Sequence, residues 1–133
     1  MVGEHTGGLD RHQETITGTA ESLLTFENAA LPLTVVCPAG KIVMANRAMR
    51  NLLRYEFSDL VGRSMYDVVA DPDEFKGVWE ERLRGVPRVT PERPVRLRTG
   101  DGTEITVRAS STLVTDSQGT IRYIVARAVA EPR

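Results

Sequence analysis

Apolar and polar positions divide the chain into two short strands, a helical middle and three later strands. Leu33-Thr34-Val35-Val36-Cys37 is an apolar, β-branched run of strand type, and Pro38-Ala39-Gly40 breaks it. Pro38 sets φ, and Gly40 can take the positive φ of a tight reversal. Lys41-Ile42-Val43-Met44 is therefore predicted as the returning strand of a hairpin. Asn46 suits a helix N-cap, and Met49, Leu52 and Leu53 follow at helical spacing on one apolar face. Ser58 is expected to cap one further turn, Asp59-Leu60-Val61, which Gly62 ends in a left-handed conformation. Met65 to Val69 reads as another short helical turn. Asp71, Pro72 and Glu74 then supply a cap, a first helical residue and a capping-box acid, so a helix is predicted from there to Arg84, stopping at Gly85. Phe75, Val78, Trp79 and Leu83 form its apolar stripe, with Lys76, Glu80, Glu81 and Arg84 toward water.

The later half alternates. Val86 to Pro94 is proline-rich and predicted as loop, and Val95-Arg96-Leu97-Arg98 as a strand with one wet face. Gly100-Asp101-Gly102 turns the chain into a long strand in which Ile105, Val107, Ala109, Ser111 and Leu113 share one face. After the Asp116–Gly119 reversal, the last strand, Ile121 to Val129, is apolar on both sides. Ile121, Tyr123 and Val125 are assigned to the helix-covered face. Ile124, Ala126 and Ala128 are assigned to the other, which then needs its own cover: an N-terminal helix, a partner subunit, or both. That helix is predicted over 19–31, with Thr19 as cap, Leu23, Leu24 and Glu27 on one side and Phe26 on another. Its apolar surface packs either on its own sheet or across a dimer. The plan is α+β, with one five-stranded antiparallel sheet, short helices on one face and a flanking N-terminal helix.

A length of 133 residues is one domain's worth of chain. The formal net charge of −1 implies neither a nucleic acid nor an anionic membrane as partner. No apolar run approaches the roughly 20 residues of a membrane span. Residues 1–18 are polar and glycine-containing, carry His5 and His12, and are expected to be a disordered tail without a secretory core. The lone Cys37 cannot form an intrachain disulfide, and the expected location is the cytoplasm.

Little in the chain points to catalysis. Both histidines are in the tail, so no general base of that kind belongs to the core. Cys37 lies in an apolar run with no adjacent histidine, as a small core hydrophobe would. The acidic group Asp71, Asp73 and Glu74 lacks the ligand alternation of a calcium loop and is read as capping. Pro38-Ala39-Gly40-Lys41 is too short for a phosphate loop. The Arg-rich stretch from Arg82 to Arg98 is interrupted by Glu92 and prolines and is read as a solvated loop. The expectation is a non-enzymatic protein with no metal site.

The order strand, reversal, strand, capped helix, short helix, glycine resembles the start of a PAS domain, the small sensor module of signalling proteins. The resemblance runs from about Phe26 to Val129. The lead-in Phe26 to Pro32, the signposts Gly40, Asn46, Leu60 and Gly62, the acidic turn Asp71-Pro72-Asp73-Glu74 and the hairpin turn Gly100-Asp101-Gly102 carry it. Two stretches depart from the pattern. Arg54-Tyr55 stands where the family often has a glycine, and Val129-Ala130-Glu131-Pro132-Arg133 stands where an Asp-Ile-Thr exit into a signalling helix is common.

The resemblance implies a PAS domain over 32–130 whose sheet cups the helices around a small cavity. Val35, Met49, Leu53, Phe75, Trp79, Leu97, Val107 and Tyr123 are the expected pocket residues, with Trp79 and Tyr123 each able to supply a polar contact. A small apolar ligand such as a fatty acid would fit. A filled core would have the same sequence, and the filled or nearly filled core is preferred. Neither flavin nor haem is expected: the chain reads Asn46-Arg47-Ala48 where a flavin sensor has Asn-Cys-Arg-Phe, and no histidine falls in the core. Met44, Met49 and Met65 are assigned to packing. Leu23, Leu24, Phe26, Ile124 and Ala126 are the expected homodimer contacts. The function implied is an input module of a longer regulator, binding a ligand or a partner without catalysis. The alternative is a constitutive interaction domain with a filled core.

Overall fold

The computed structural model describes residues 20–85 and 87–131. The predicted tail 1–18, the Thr19 cap, Val86 and Pro132 lie outside the described residues. Helix α1 covers residues 20–28. Then follow β1 Leu33–Val36, β2 Ile42–Ala45, α2 Arg47–Leu53, α3 Phe57–Leu60, a 3-10 turn Met65–Asp67, α4 Pro72–Leu83, β3 Arg93–Arg98, β4 Glu104–Thr115 and β5 Ile121–Ala130. The five strands form one antiparallel sheet in the order β2-β1-β5-β4-β3.

The local signals act as the side chains require. The Asp71 carboxylate accepts from the Glu74 amide at 3.1 Å, and Pro72 opens α4. Gly40 turns the first hairpin at φ +90°. Asn46 caps α2, accepting from Met49 N at 3.0 Å. Its amide nitrogen also donates to the carbonyls of Phe26 at 3.0 Å and Leu31 at 2.9 Å. Asn46 is fully buried, and these bonds tie the end of α1 to the start of α2. Glu27 and Arg50 repeat that tie on the outside with two parallel bonds of 2.9 Å.

Two boundaries differ from expectation, and one helix end departs from the family pattern. Ser58 does not cap α3, which starts earlier at Phe57 without a side-chain cap. The Glu56 carbonyl accepts from both Asp59 and Leu60, so the backbone itself nucleates the turn. Pro94 lies within β3 rather than in a loop. β3 is the sheet's edge, where a missing N–H leaves no partner unpaired. Arg54 ends α2 in the left-handed conformation, φ 62° and ψ 43°, that a glycine would adopt there without strain.

The faces of β5 are the reverse of those expected. Val107 and Leu113 of β4 point inward as expected, and Ala109, Ser111 and Leu113 pair with Ala128, Ala126 and Ile124. Directly paired residues share a face, so Ile124, Ala126 and Ala128 are the inner residues of β5. Ile124 is 1 % exposed, whereas Tyr123 is on the outside at 42 %. A bulge explains the error: Val114 pairs Tyr123 but Thr115 pairs Ile121, leaving Arg122 as an extra residue that reverses the alternation. Ile121 thus packs with Ile124 on the core, although strict alternation from Ile121 would have put Tyr123 inside. Across β1, Thr34 pairs Ala126 and Val36 pairs Ile124, so Val35 is also on the outer face.

The core lies between the helices and the inner sheet face. One part gathers Ile42, Met49, Leu53, Leu60, Val68, Leu97 and Val107, and a second gathers Val36, Trp79, Leu113 and Ile124. Burying each Leu or Ile side chain stabilises the fold by about 2 kcal/mol.

Candidate ligand-binding cavity

A partly open cavity of about 380 Å³ remains between α2, α4 and the inner face of the sheet. That volume is within the range of small-molecule sites. Among the expected pocket residues, Met49, Leu53, Phe75, Trp79 and Leu97 line it. Val107 is buried in the core without lining it. Val35 and Tyr123 are on the opposite face of the sheet, for the register reason given above. Ile124 and Ala126, expected at an interface, line the cavity instead.

Helix α4 supplies one wall. Its Phe75 ring stacks on Trp79 at 5.5 Å and meets Tyr66 edge-on at 5.2 Å. The Trp79 indole N–H donates to the Pro38 carbonyl at 2.9 Å, so its polar edge braces the first hairpin. That bond fixes the wall's orientation from a residue forty-one positions away in sequence.

The same helix carries a residue that the sequence reading assigned to solvent. Arg82 is 6 % exposed and lines the cavity. Its Nε donates to Ser111 Oγ at 3.0 Å, Nη1 to the Pro87 carbonyl and Nη2 to the Arg88 carbonyl at 3.2 Å. Burial, and next the like charge of Arg93, lower its pKa from the ordinary arginine value. A positional signal was present: Phe75, Val78, Trp79 and Arg82 follow at i, i+3, i+4 and i+7, the inward stripe of a helix. Leu83, assigned to that stripe, is instead exposed.

Acidic groups line the other end. Asp71 and Glu74 stand at the N-terminus of α4. The two carboxyls held below the usual carboxylate range do not line the cavity. Glu27 is lowered chiefly by its hydrogen bonds from Arg50, and Asp101 by those from Thr99 and then Arg54. Among the described residues no group of three His, Cys, Asp or Glu side chains is arranged to hold a metal ion. Among the same residues no helix is long and apolar enough to cross a membrane.

A five-stranded antiparallel sheet with short helices on its inner face and a cavity between them defines a class of small α+β domains. The chain belongs to the PAS family: the family model described as PAS fold matches residues 24–128. Solved PAS domains have the same fold. The PAS domain of an HTR-like protein from Haloarcula marismortui superposes with a TM-score of 0.70 at 18% identity, over 92% of this chain and 99% of that one. A PAS domain from a two-component sensor histidine kinase gives 0.70 at 18% identity, over 90% and 99%. The PAS domain, in complex with ethanol, of a LuxR-family transcriptional regulator from Burkholderia thailandensis gives 0.66 at 18% identity, over 80% and 94%. A search of curated proteins finds no match.

Proposed function

We propose that this chain is a sensory input module of a cytoplasmic regulatory protein, binding a small, mainly apolar molecule in its cavity and acting without catalysis. The observation that carries this reading is the cavity of about 380 Å³ inside a PAS fold. The similar domains come from a sensor kinase and a transcriptional regulator, and one of them is in complex with ethanol. That supports a role as one part of a longer signalling protein. Flavin and haem are not part of the proposal: Asn46-Arg47-Ala48 lacks the reactive cysteine of the flavin motif, and the core sequence carries no histidine.

The proposal includes pairing with a second copy. Val35, Val125, Tyr123 and Val114 give the outer sheet face an apolar surface, and Leu23 and Leu24 of α1 are exposed. These outer residues replace Ile124 and Ala126 as the interface set. A ligand in the cavity would bias the sheet between two arrangements, and the outer face would transmit the change to the partner.

Native mass spectrometry of the chain purified from cells tests the ligand. A co-purifying small molecule that is lost in an Ala126→Phe variant, which fills the cavity, is the expected result. Protein that is ligand-free and takes up no small-molecule probe would instead support a constitutive interaction domain. Sedimentation velocity tests the pairing: Tyr123→Arg should convert a dimer to a monomer, and an unchanged dimer would overturn that interface.

A further inference from the structure

We propose that the cavity's ligand carries one carboxylate head on an apolar body, and that Arg82 receives the head. The inference rests on reading the cavity as a ligand site and names the class of molecule it takes.

A guanidinium has five N–H donors in a fixed plane and keeps its charge at any physiological pH. Arg82 directs three bonds to neutral acceptors: Ser111 Oγ and the Pro87 and Arg88 carbonyls. Two donors have no acceptor among the described residues. Arg82 also forms no ion pair with a carboxylate among those residues, unlike Arg50, Arg54, Arg96, Arg108 and Arg127. A buried charge without a counter-ion is costly, and neutral acceptors offset only part of the cost.

The surroundings add to the imbalance. Arg93 lines the same cavity, so a second positive charge acts on the guanidinium. The acids that line it, Asp71 and Glu74, are eleven and eight residues back along α4. At the helical rise those positions are about 16 and 12 Å away along the axis, too far to pair with Arg82. Between the two ends the wall is carbon, from Met49, Leu53, Phe75 and Ile124. The chamber is mainly apolar between an acidic end at Asp71 and Glu74 and a cationic end at Arg82.

That end is also preorganised. Ser111 and two backbone carbonyls fix the guanidinium plane, so little side-chain freedom remains to be lost on binding. Thr90 Oγ1 lies 3.5 Å from Ser111 Oγ and lines the cavity, adding a hydroxyl beside the fork. One buried guanidinium matches one unit of negative charge. A carboxylate meets its planar donors in parallel, whereas a doubly charged phosphate would also have to draw on Arg93, which is exposed rather than buried.

Isothermal titration of the full chain with decanoate and with decanol tests the inference, because the two differ only in the head. Decanoate is expected to bind at least about tenfold more tightly, the gain typical of hydrogen bonds to a charged group. Arg82→Met keeps length and apolar volume and should erase that difference while leaving decanol binding in place. In the unsubstituted chain the Arg82 Nε–H resonance should move on adding decanoate and not on adding decanol, a readout that needs no variant to fold. Equal affinity for the two probes, or a decanoate preference that survives in Arg82→Met, overturns the acidic head and leaves the cavity reading standing. A chain that takes up neither probe overturns both.

Discussion

The carbonyl oxygen of Arg54 lies 2.1 Å from where a Cβ on Gly100 would sit. The end of α2 and the β3–β4 turn are in direct backbone contact, and Gly100 N donates to the Leu53 carbonyl at 2.7 Å. Arg54 reaches the same turn with its side chain, 2.8 Å from Asp101. Gly100→Ala should destabilise the chain by at least about 2 kcal/mol in urea denaturation, because backbone rather than a flexible side chain must give way. Arg54→Gly should be neutral within about 1 kcal/mol: relief of a left-handed arginine and loss of an exposed ion pair roughly cancel. Thr99→Val should raise the Asp101 pKa more than Arg54→Gly does, since the Thr99 hydroxyl is its first support.

Asn46 joins three segments with one side chain. It accepts from Leu33 N and Met49 N and donates to carbonyls before β1. Asn46→Ala should cost about 2–4 kcal/mol, from a lost cap plus buried backbone groups left unpaired. Asn46→Asp keeps the cap but turns a carboxylate toward the carbonyls of Phe26 and Leu31, so it should not rescue the stability. Denaturant midpoints of both variants provide the measurement.

The docking of α1 should depend on pH. Arg50 holds Glu27 below the ordinary glutamate range, so the folded state favours the charged carboxyl. The pair's contribution is present above the unfolded-state glutamate value and is lost as pH falls through the lower, folded value. The protection of the α1 amides, measured against their intrinsic exchange rates, should fall in that acid window. Glu27→Gln should show the lower protection already at neutral pH and no further acid step from this group.

The reversed alternation of β5 gives a paired test. In the monomeric chain, at a concentration too low for pairing, Tyr123→Asp should change stability by no more than about 1 kcal/mol, as exposed substitutions do. Ile124→Asp should cost about 4 kcal/mol or more, because it buries an unpaired charge in the core. Comparable losses at the two positions would contradict the register.

The features legible in the chain were those settled within a few residues. Asn46 and Asp71 announce helix starts because a short side chain can reach an amide three positions on. Gly40 and the turn glycines mark reversals because other residues resist positive φ. The chamber was only half legible. The inward placing of Met49, Leu53, Phe75, Trp79 and Leu97 followed from periodicity and their place around a cavity only from the resemblance, because an apolar stripe looks the same whether a core is packed or hollow.

The sequence by itself determined the element types, their order and the α+β plan, because hydrophobic period and turn chemistry act locally. The tertiary structure decided which side of β5 is inside, since one extra residue at Arg122 reverses every later side chain and only pairing with β4 reveals it. It also decided that Arg82 is buried. A long cationic side chain on a helix stripe reaches water unless distant residues enclose it, and here Ser111, Pro87 and Arg88 do so.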